Sequence, residues 1–104
     1  MLLKVWGARG SVPAPGPHMN RYGGNTSCVQ VTLASGEDLI LDAGTGIRTL
    51  GLGLVTAPKV SILLTHLHLD HIQGLMFFPP CFRPDSEITC GIGRSCSRHA
   101  SARV

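Results

Sequence analysis

Charge is scarce in this sequence. Only 14% of its 104 residues are charged, with six Asp and Glu against nine Lys and Arg, so the formal net charge is +3 while 43% of residues are hydrophobic. That balance points to a globular piece of at most one domain. Its core is small and its stability margin narrow, because a chain this short buries a lower fraction of its surface. No apolar run approaches the roughly 20 residues of a membrane span, so no membrane contact is expected. Met1-Leu2-Leu3 runs into Lys4 without the stretch of roughly 7 to 15 apolar residues that a signal peptide needs, which makes a cytoplasmic protein the expectation. Aromatic residues amount to 5%, and none interleaves with the basic residues near the C-terminus, which argues against a stacking platform for nucleic acid. The four cysteines, Cys28, Cys81, Cys90 and Cys96, include no Cys-x-x-Cys pair of the kind found in zinc knuckles and redox motifs. Cys28 reads as a small buried apolar residue in a strand.

What the sequence concentrates instead is metal-ligand chemistry. An apolar run, Ser61-Ile62-Leu63-Leu64-Thr65, breaks into His66-Leu67-His68-Leu69-Asp70-His71, placing three histidines and one aspartate within six residues. Residues 60–65 have strand composition, so the ligand types fall on the loop after a strand. Neutral imidazole nitrogens and a carboxylate oxygen suit Zn²⁺, Fe or Mn. In an extended loop the side-chain period is two, so His66, His68 and Asp70 project to one side and the two histidines can grip one ion. His71 follows where residues 72–77 begin a short helix, which makes Asp70 and His71 a second pair facing a second ion. A single histidine is more often a surface or hydrogen-bonded residue. Four potential ligands in this spacing, anchored by apolar residues on both flanks, outweigh that reading.

The rest of the chain frames this loop. Residues 2–6 have strand composition and lead into a segment rich in glycine and proline that ends at Pro17 and can be neither helix nor central strand. Arg9 in that loop either offers its planar fork to a phosphate at the rim of a site or stands in solvent. His18 and Arg21 have weaker claims to a direct role. Residues 27–33 and 38–41 read as a hairpin across the turn at 34–37. Asp42 ends the second strand, where it can cap a helix over residues 47–52. Phe77, Phe78 and Phe82 read as core or as a wall of the site, and residues 86–89 as the start of another strand. From Cys90 onward hydrophobic periodicity is lost, and three of the seven arginines fall there. An irregular, disordered tail is the expectation, with a basic nucleic-acid contact as the alternative.

His66-Leu67-His68-Leu69-Asp70-His71 resembles the signature of the metallo-β-lactamase superfamily, and Leu41-Asp42-Ala43-Gly44-Thr45-Gly46 resembles that superfamily's other early motif. The opening, Trp6-Gly7-Ala8-Arg9-Gly10-Ser11-Val12-Pro13 with Tyr22-Gly23-Gly24-Asn25-Thr26-Ser27-Cys28, is similar to the branch that contains ribonuclease Z and related phosphodiesterases. The resemblance implies an α/β fold of the αββα sandwich type, in which two sheets pack between helical layers. Residues 1–89 would form only its N-terminal sheet-and-helix half, and residues 90–104 an irregular tail. It implies a metal-dependent hydrolase that attacks small-molecule or nucleotide phosphodiesters with a metal-activated water, with thioesters or lactones as rival substrates. A truncated, catalytically inactive metal-binding fragment and a small basic nucleic-acid-binding module are the competing readings. The implied cofactor is Zn²⁺, two ions per intact site, with Mn²⁺ or Fe as alternatives. His66 and His68 would hold the first ion and Asp70 and His71 the second, with Asp70 also catalytic in orienting or deprotonating the water. Asp42 would stand behind the ligands as hydrogen-bonding support. The remaining family ligands lie further downstream, and His99 in the tail does not replace them. No substrate-binding residue is assigned, and the exposed sheet edges of half a fold point to self-association.

Overall fold

The computed structural model describes residues 1–54 and 59–92, and the backbone of residues 100–103. Six strands, β1 (Leu2–Gly7), β2 (Cys28–Thr32), β3 (Asp38–Leu41), β4 (Lys59–Leu64), β5 (Glu87–Ile92) and β6 (Ala100–Arg103), form one mixed sheet in sequential order. The pairs β1/β2, β2/β3 and β5/β6 are antiparallel, while β3/β4 and β4/β5 are parallel. Among the described residues one α-helix, α1 (Gly46–Leu52), connects β3 toward β4. The chain is therefore a small α/β unit, and among the described residues no helix is long and apolar enough to cross a membrane.

The core follows from alternation along β4. Val60, Ile62 and Leu64 are buried while Lys59, Ser61 and Leu63 face outward, the period-two pattern of a strand with one covered face. Register places Ile40 of β3 opposite Ile62 and Ile88 of β5 opposite Val60, so three strands present one apolar surface. Ile47 and Leu50 of α1 and the ring of Phe78 complete it. Burying such a side chain contributes roughly 1.5–3 kcal/mol, which is what holds a seven-residue helix too short to persist alone. On β1, Leu3 and Val5 remain 60% and 55% exposed.

The first four strands lie within a residue or two of their expected positions, and α1 begins one residue early. Residues 72–77 do not form the expected helix. They belong to a chain of 3-10 turns, Leu69–His71, Leu75–Phe77 and Pro79–Phe82, separated by extended or irregular linkers. Pro79 keeps Phe78 extended, and a 3-10 turn closes in three residues where an α-helix cannot. The expected irregular tail from Cys90 also differs: β5 runs on to Ile92, and residues 100–103 pair back onto it, with Cys90 opposite Ala102. The six residues of β4 supply backbone partners along β5, and β5 in turn along residues 100–103, so the ladders order segments that lack apolar periodicity. The tail expectation for residues 93–99, including His99, and for Val104 lies outside the described residues.

Cys28 is fully buried, and burial, helped by the nearby Asp42 charge, pushes its thiol up from 9.0 to about 12. Between those pH values the unfolded chain releases this proton while the folded chain keeps it, so stability is present below pH 9 and falls as pH rises through the interval. Urea midpoints measured from pH 8 upward should therefore decline above about pH 9, and Cys28→Ala should reduce the slope. An identical slope in the variant would contradict this assignment.

Candidate metal centre

The parallel neighbours β3 and β4 end side by side, and the candidate site lies beyond their C-terminal ends, where open parallel sheets present ligand sites. The two exits are joined by backbone hydrogen bonds. The Asp42 amide donates to the Leu63 carbonyl at 2.9 Å, the Ala43 amide to the His71 carbonyl at 2.7 Å, and the Gly74 amide to the Ala43 carbonyl at 2.9 Å. The approach leaves no space for a side chain: a Cβ on Gly74 would overlap the Gly44 carbonyl oxygen, and one on Gly44 would lie 2.5 Å from the Thr26 hydroxyl oxygen. Gly74 is thus required by the contact between the two exits, and Gly44 by its contact with Thr26 and Ser27.

Asp42 adopts φ 66°, a left-handed conformation that Asp tolerates better than most residues, and is only 5% exposed. This backbone turns its carboxylate toward the ligand loop instead of toward α1. Oδ1 accepts the Thr65 amide at 2.8 Å, and the Thr65 hydroxyl lies 3.0 Å from both carboxylate oxygens. Oδ2 stands 2.9 Å from Nδ1 of His71, a close charge contact without the alignment of a hydrogen bond. The capping role expected of Asp42 is therefore not the one it fills. Thr45 occupies the N-cap position of α1, and the Thr45 amide donates to the Thr26 hydroxyl at 2.8 Å.

The four expected ligands are gathered together. His66 and His68 meet edge to face with ring centroids 4.4 Å apart, and His66 and His71 lie 4.0 Å apart. Nε2 of His71 is 3.4 Å from Oδ2 of Asp70, which also accepts the Ser11 amide at 3.0 Å. The expected division into two separate pairs is replaced by one cluster. Leu69–His71 coils into a 3-10 turn instead of staying extended, and His71 stands between His66 and Asp70. The Ser11 hydrogen bond, assisted by the charges of His71 and His68 and opposed by burial, holds the Asp70 carboxyl below the usual carboxylate range. Asp70 therefore remains an acceptor at any pH near neutrality.

Among the described residues no three His, Cys, Asp or Glu side chains converge on one ready ion position. The rings pack on one another and Nε2 of His71 turns to Asp70. The chemistry of the set nevertheless suits a borderline ion such as Zn²⁺: three imidazoles and a carboxylate with a buried carboxylate behind them. The buried Nδ1 of His71 makes no aligned hydrogen bond, and reorientation around an ion would align it with Asp42.

Other residues singled out from the sequence play different parts. Arg9 is turned onto its own loop, with Nε donating to the Val12 carbonyl at 2.6 Å and Nη1 lying 3.6 Å from Met19 Sδ, so its fork is not presented as a phosphate clamp. Arg21 lies 5.2 Å from the Tyr22 ring, and His18 sits in the turn Pro17–Met19. Of the aromatics, Phe78 is core, Phe77 is largely exposed, and Phe82 lines a groove of about 460 Å³ with Leu69, Ile72, Leu75 and Met76. Sequence reasoning missed Thr65, Ser11 and Thr26. Thr65 carried a signal, a hydroxyl between a strand end and the first histidine. Ser11 acts through its amide, which no residue type announces.

The chain shows no significant match to any protein-family model, curated protein or solved structure, so its site is read from its own residues and their geometry.

Proposed function

We propose that the chain is a metal-dependent hydrolase of the metallo-β-lactamase type, with His66, His68, Asp70 and His71 as ion ligands and a phosphodiester as substrate. The observation that carries the reading is the assembly of these four donors, with Asp42 behind them, at the C-terminal ends of two parallel strands. The finer architecture proposed is the N-terminal sheet-and-helix half of an αββα sandwich. It is supported by a mixed sheet with α1 on one face and apolar side chains such as Leu3, Val5 and Leu63 exposed, a surface that also favours self-association.

A bound Zn²⁺ would polarise the oxygen of the group under attack and make water acidic enough to attack near neutral pH. The chain's own residues do the rest. The Ser11 amide keeps Asp70 ionised and occupies Oδ2, which leaves Oδ1 to hold the ion and orient the attacking water. Asp42 fixes the loop that carries the histidines. The groove walled by Leu69 and Ile72, the residues flanking Asp70 and His71 in sequence, receives an apolar part of the substrate and sheds water. Phosphodiester chemistry rests on the opening motif, and because Arg9 is committed to its own loop, thioesters and lactones are the rivals to assay.

An inactive metal-binding chain is the second reading, favoured by ligand count. Two ions in open sites need about six protein contacts, and this loop offers four, enough for a single ion. The purified chain should retain one weakly held Zn²⁺, lost in His68→Ala, and release nitrophenol slowly from a bis-aryl phosphate. Zn²⁺ retained without any release supports the second reading. Failure to retain Zn²⁺ or Mn²⁺ at all would refute both.

A further inference from the structure

We infer that Thr65 is a positioning residue that locks neutral His66 in its Nδ1–H tautomer and thereby leaves the Nε2 lone pair free to bind. The inference depends on the metal-site reading for its purpose, but its geometry stands independently.

Proton accounting around one hydroxyl carries it. Thr65 Oγ1 has three neighbours: Oδ1 of Asp42 at 3.0 Å, Oδ2 of Asp42 at 3.0 Å, and Nδ1 of His66 at 2.9 Å. It has one proton to give. An ionised carboxylate has only lone pairs, and a hydrogen bond to it is stronger than one to a neutral group, so the proton goes to Asp42. The reverse arrangement would set the hydroxyl lone pairs against two carboxylate oxygens at 3.0 Å. The Thr65 amide is held on the same Oδ1 at 2.8 Å, which keeps the carboxylate beside the hydroxyl. With its proton committed, Oγ1 can only accept from His66, so Nδ1 must carry the hydrogen and Nε2 must be bare. Fixing the tautomer of a ligand through an outer hydrogen bond is a recurrent feature of metal sites. One buried carboxylate would then serve two histidines, standing beside His71 directly and reaching His66 through a hydroxyl.

The test uses the whole chain, metal-free and labelled with ¹⁵N at histidine, near pH 8.5, about two units above the ordinary imidazole pKa. Long-range ¹H–¹⁵N correlation spectra distinguish the two neutral tautomers ring by ring. Wild type should show His66 as Nδ1–H. Thr65→Val keeps the branched shape and loses the hydroxyl, so His66 should move to Nε2–H or to a mixture, while Thr65→Ser should restore the Nδ1–H pattern. A wild-type His66 in the Nε2–H form, or an unchanged tautomer in Thr65→Val, overturns the inference. If Thr65→Val does not fold, the wild-type and Thr65→Ser spectra still decide it, since both must show Nδ1–H. A Zn²⁺ titration of the same proteins separates the two readings: retention should weaken roughly 10- to 100-fold in Thr65→Val and not in Thr65→Ser. A tautomer switch in chains that bind no Zn²⁺ would sink the metal reading and support the role of Thr65.

Discussion

Phe78→Ala should destabilise the chain by about 3–5 kcal/mol, the range for emptying a core of a buried aromatic ring. Phe78 is fully buried, and its ring lies so close to α1 that a Cβ on Gly51 would come within 2.6 Å of it. It joins the turns Leu75–Phe77 and Pro79–Phe82 to the helix, so the ring fastens the far end of the ligand loop to the sheet. A domain of this size has about 5–15 kcal/mol in total, and 1 kcal/mol corresponds to about 4–8 °C in Tm, so the variant should melt well below wild type. Urea unfolding is readily followed at Trp6, whose indole donates to Gln30 Oε1 at 2.9 Å across β1 and β2. Gly51→Ala should destabilise through the same contact from the other side, whereas Phe77→Ala, at an exposed position, should change little. A loss below about 1 kcal/mol in Phe78→Ala would mean that the turns are held by something other than this ring.

That contrast between neighbouring phenylalanines shows where sequence reading stops. Along β4 the alternation of Val60, Ile62 and Leu64 with Lys59, Ser61 and Leu63 is legible because a strand's side chains have a fixed period. In the 3-10 turns after Gly74 no such period exists, and only packing against Gly51 selects Phe78 for the core. The hairpin of β2 and β3 was legible from its turn, where the Leu33 amide donates to the Glu37 carbonyl at 2.9 Å and Gly36 takes φ 90°. That His66, His68, Asp70 and His71 are neighbours was legible from their spacing in the sequence. Their mutual arrangement was not, because a local coil over Leu69–His71 replaced the extended loop that parity arguments assume. β5 beyond Thr89, and all of β6, were illegible for another reason. Their Gly, Ser and Ala residues carry no apolar pattern, and a neighbouring ladder imposes the strand. Asp42 was legible as important, with capping and support of the histidine loop as compatible roles, and a left-handed backbone aims its carboxylate at Thr65.

Removing that carboxylate should have two separable effects, one on folding and one on the ion. Asp42→Asn preserves shape and, like Asp, tolerates φ 66°, so its Oδ1 can still accept the Thr65 amide. It replaces the ionised acceptor beside Thr65 Oγ1 and His71 Nδ1 with a neutral amide. Hydrogen bonds to a charged group contribute about 1.5–3 kcal/mol where neutral ones give about 1, so a modest loss of stability is expected. Asp42→Ala loses every one of these bonds and also forces a Cβ-bearing residue without local hydrogen bonding into the left-handed region, adding about 1–2 kcal/mol. Stability should therefore fall in the order wild type, Asp42→Asn, Asp42→Ala. Metal retention should fall differently. If the buried carboxylate orients His71 directly and His66 through Thr65, both variants lose Zn²⁺ affinity by roughly 10- to 100-fold although neither alters a ligand. Chelator competition with Zn²⁺, run beside urea unfolding on the same samples, reads both quantities. Affinity unchanged in Asp42→Asn, with only the unfolding midpoint lowered, would reduce Asp42 to a backbone brace and remove it from the metal centre.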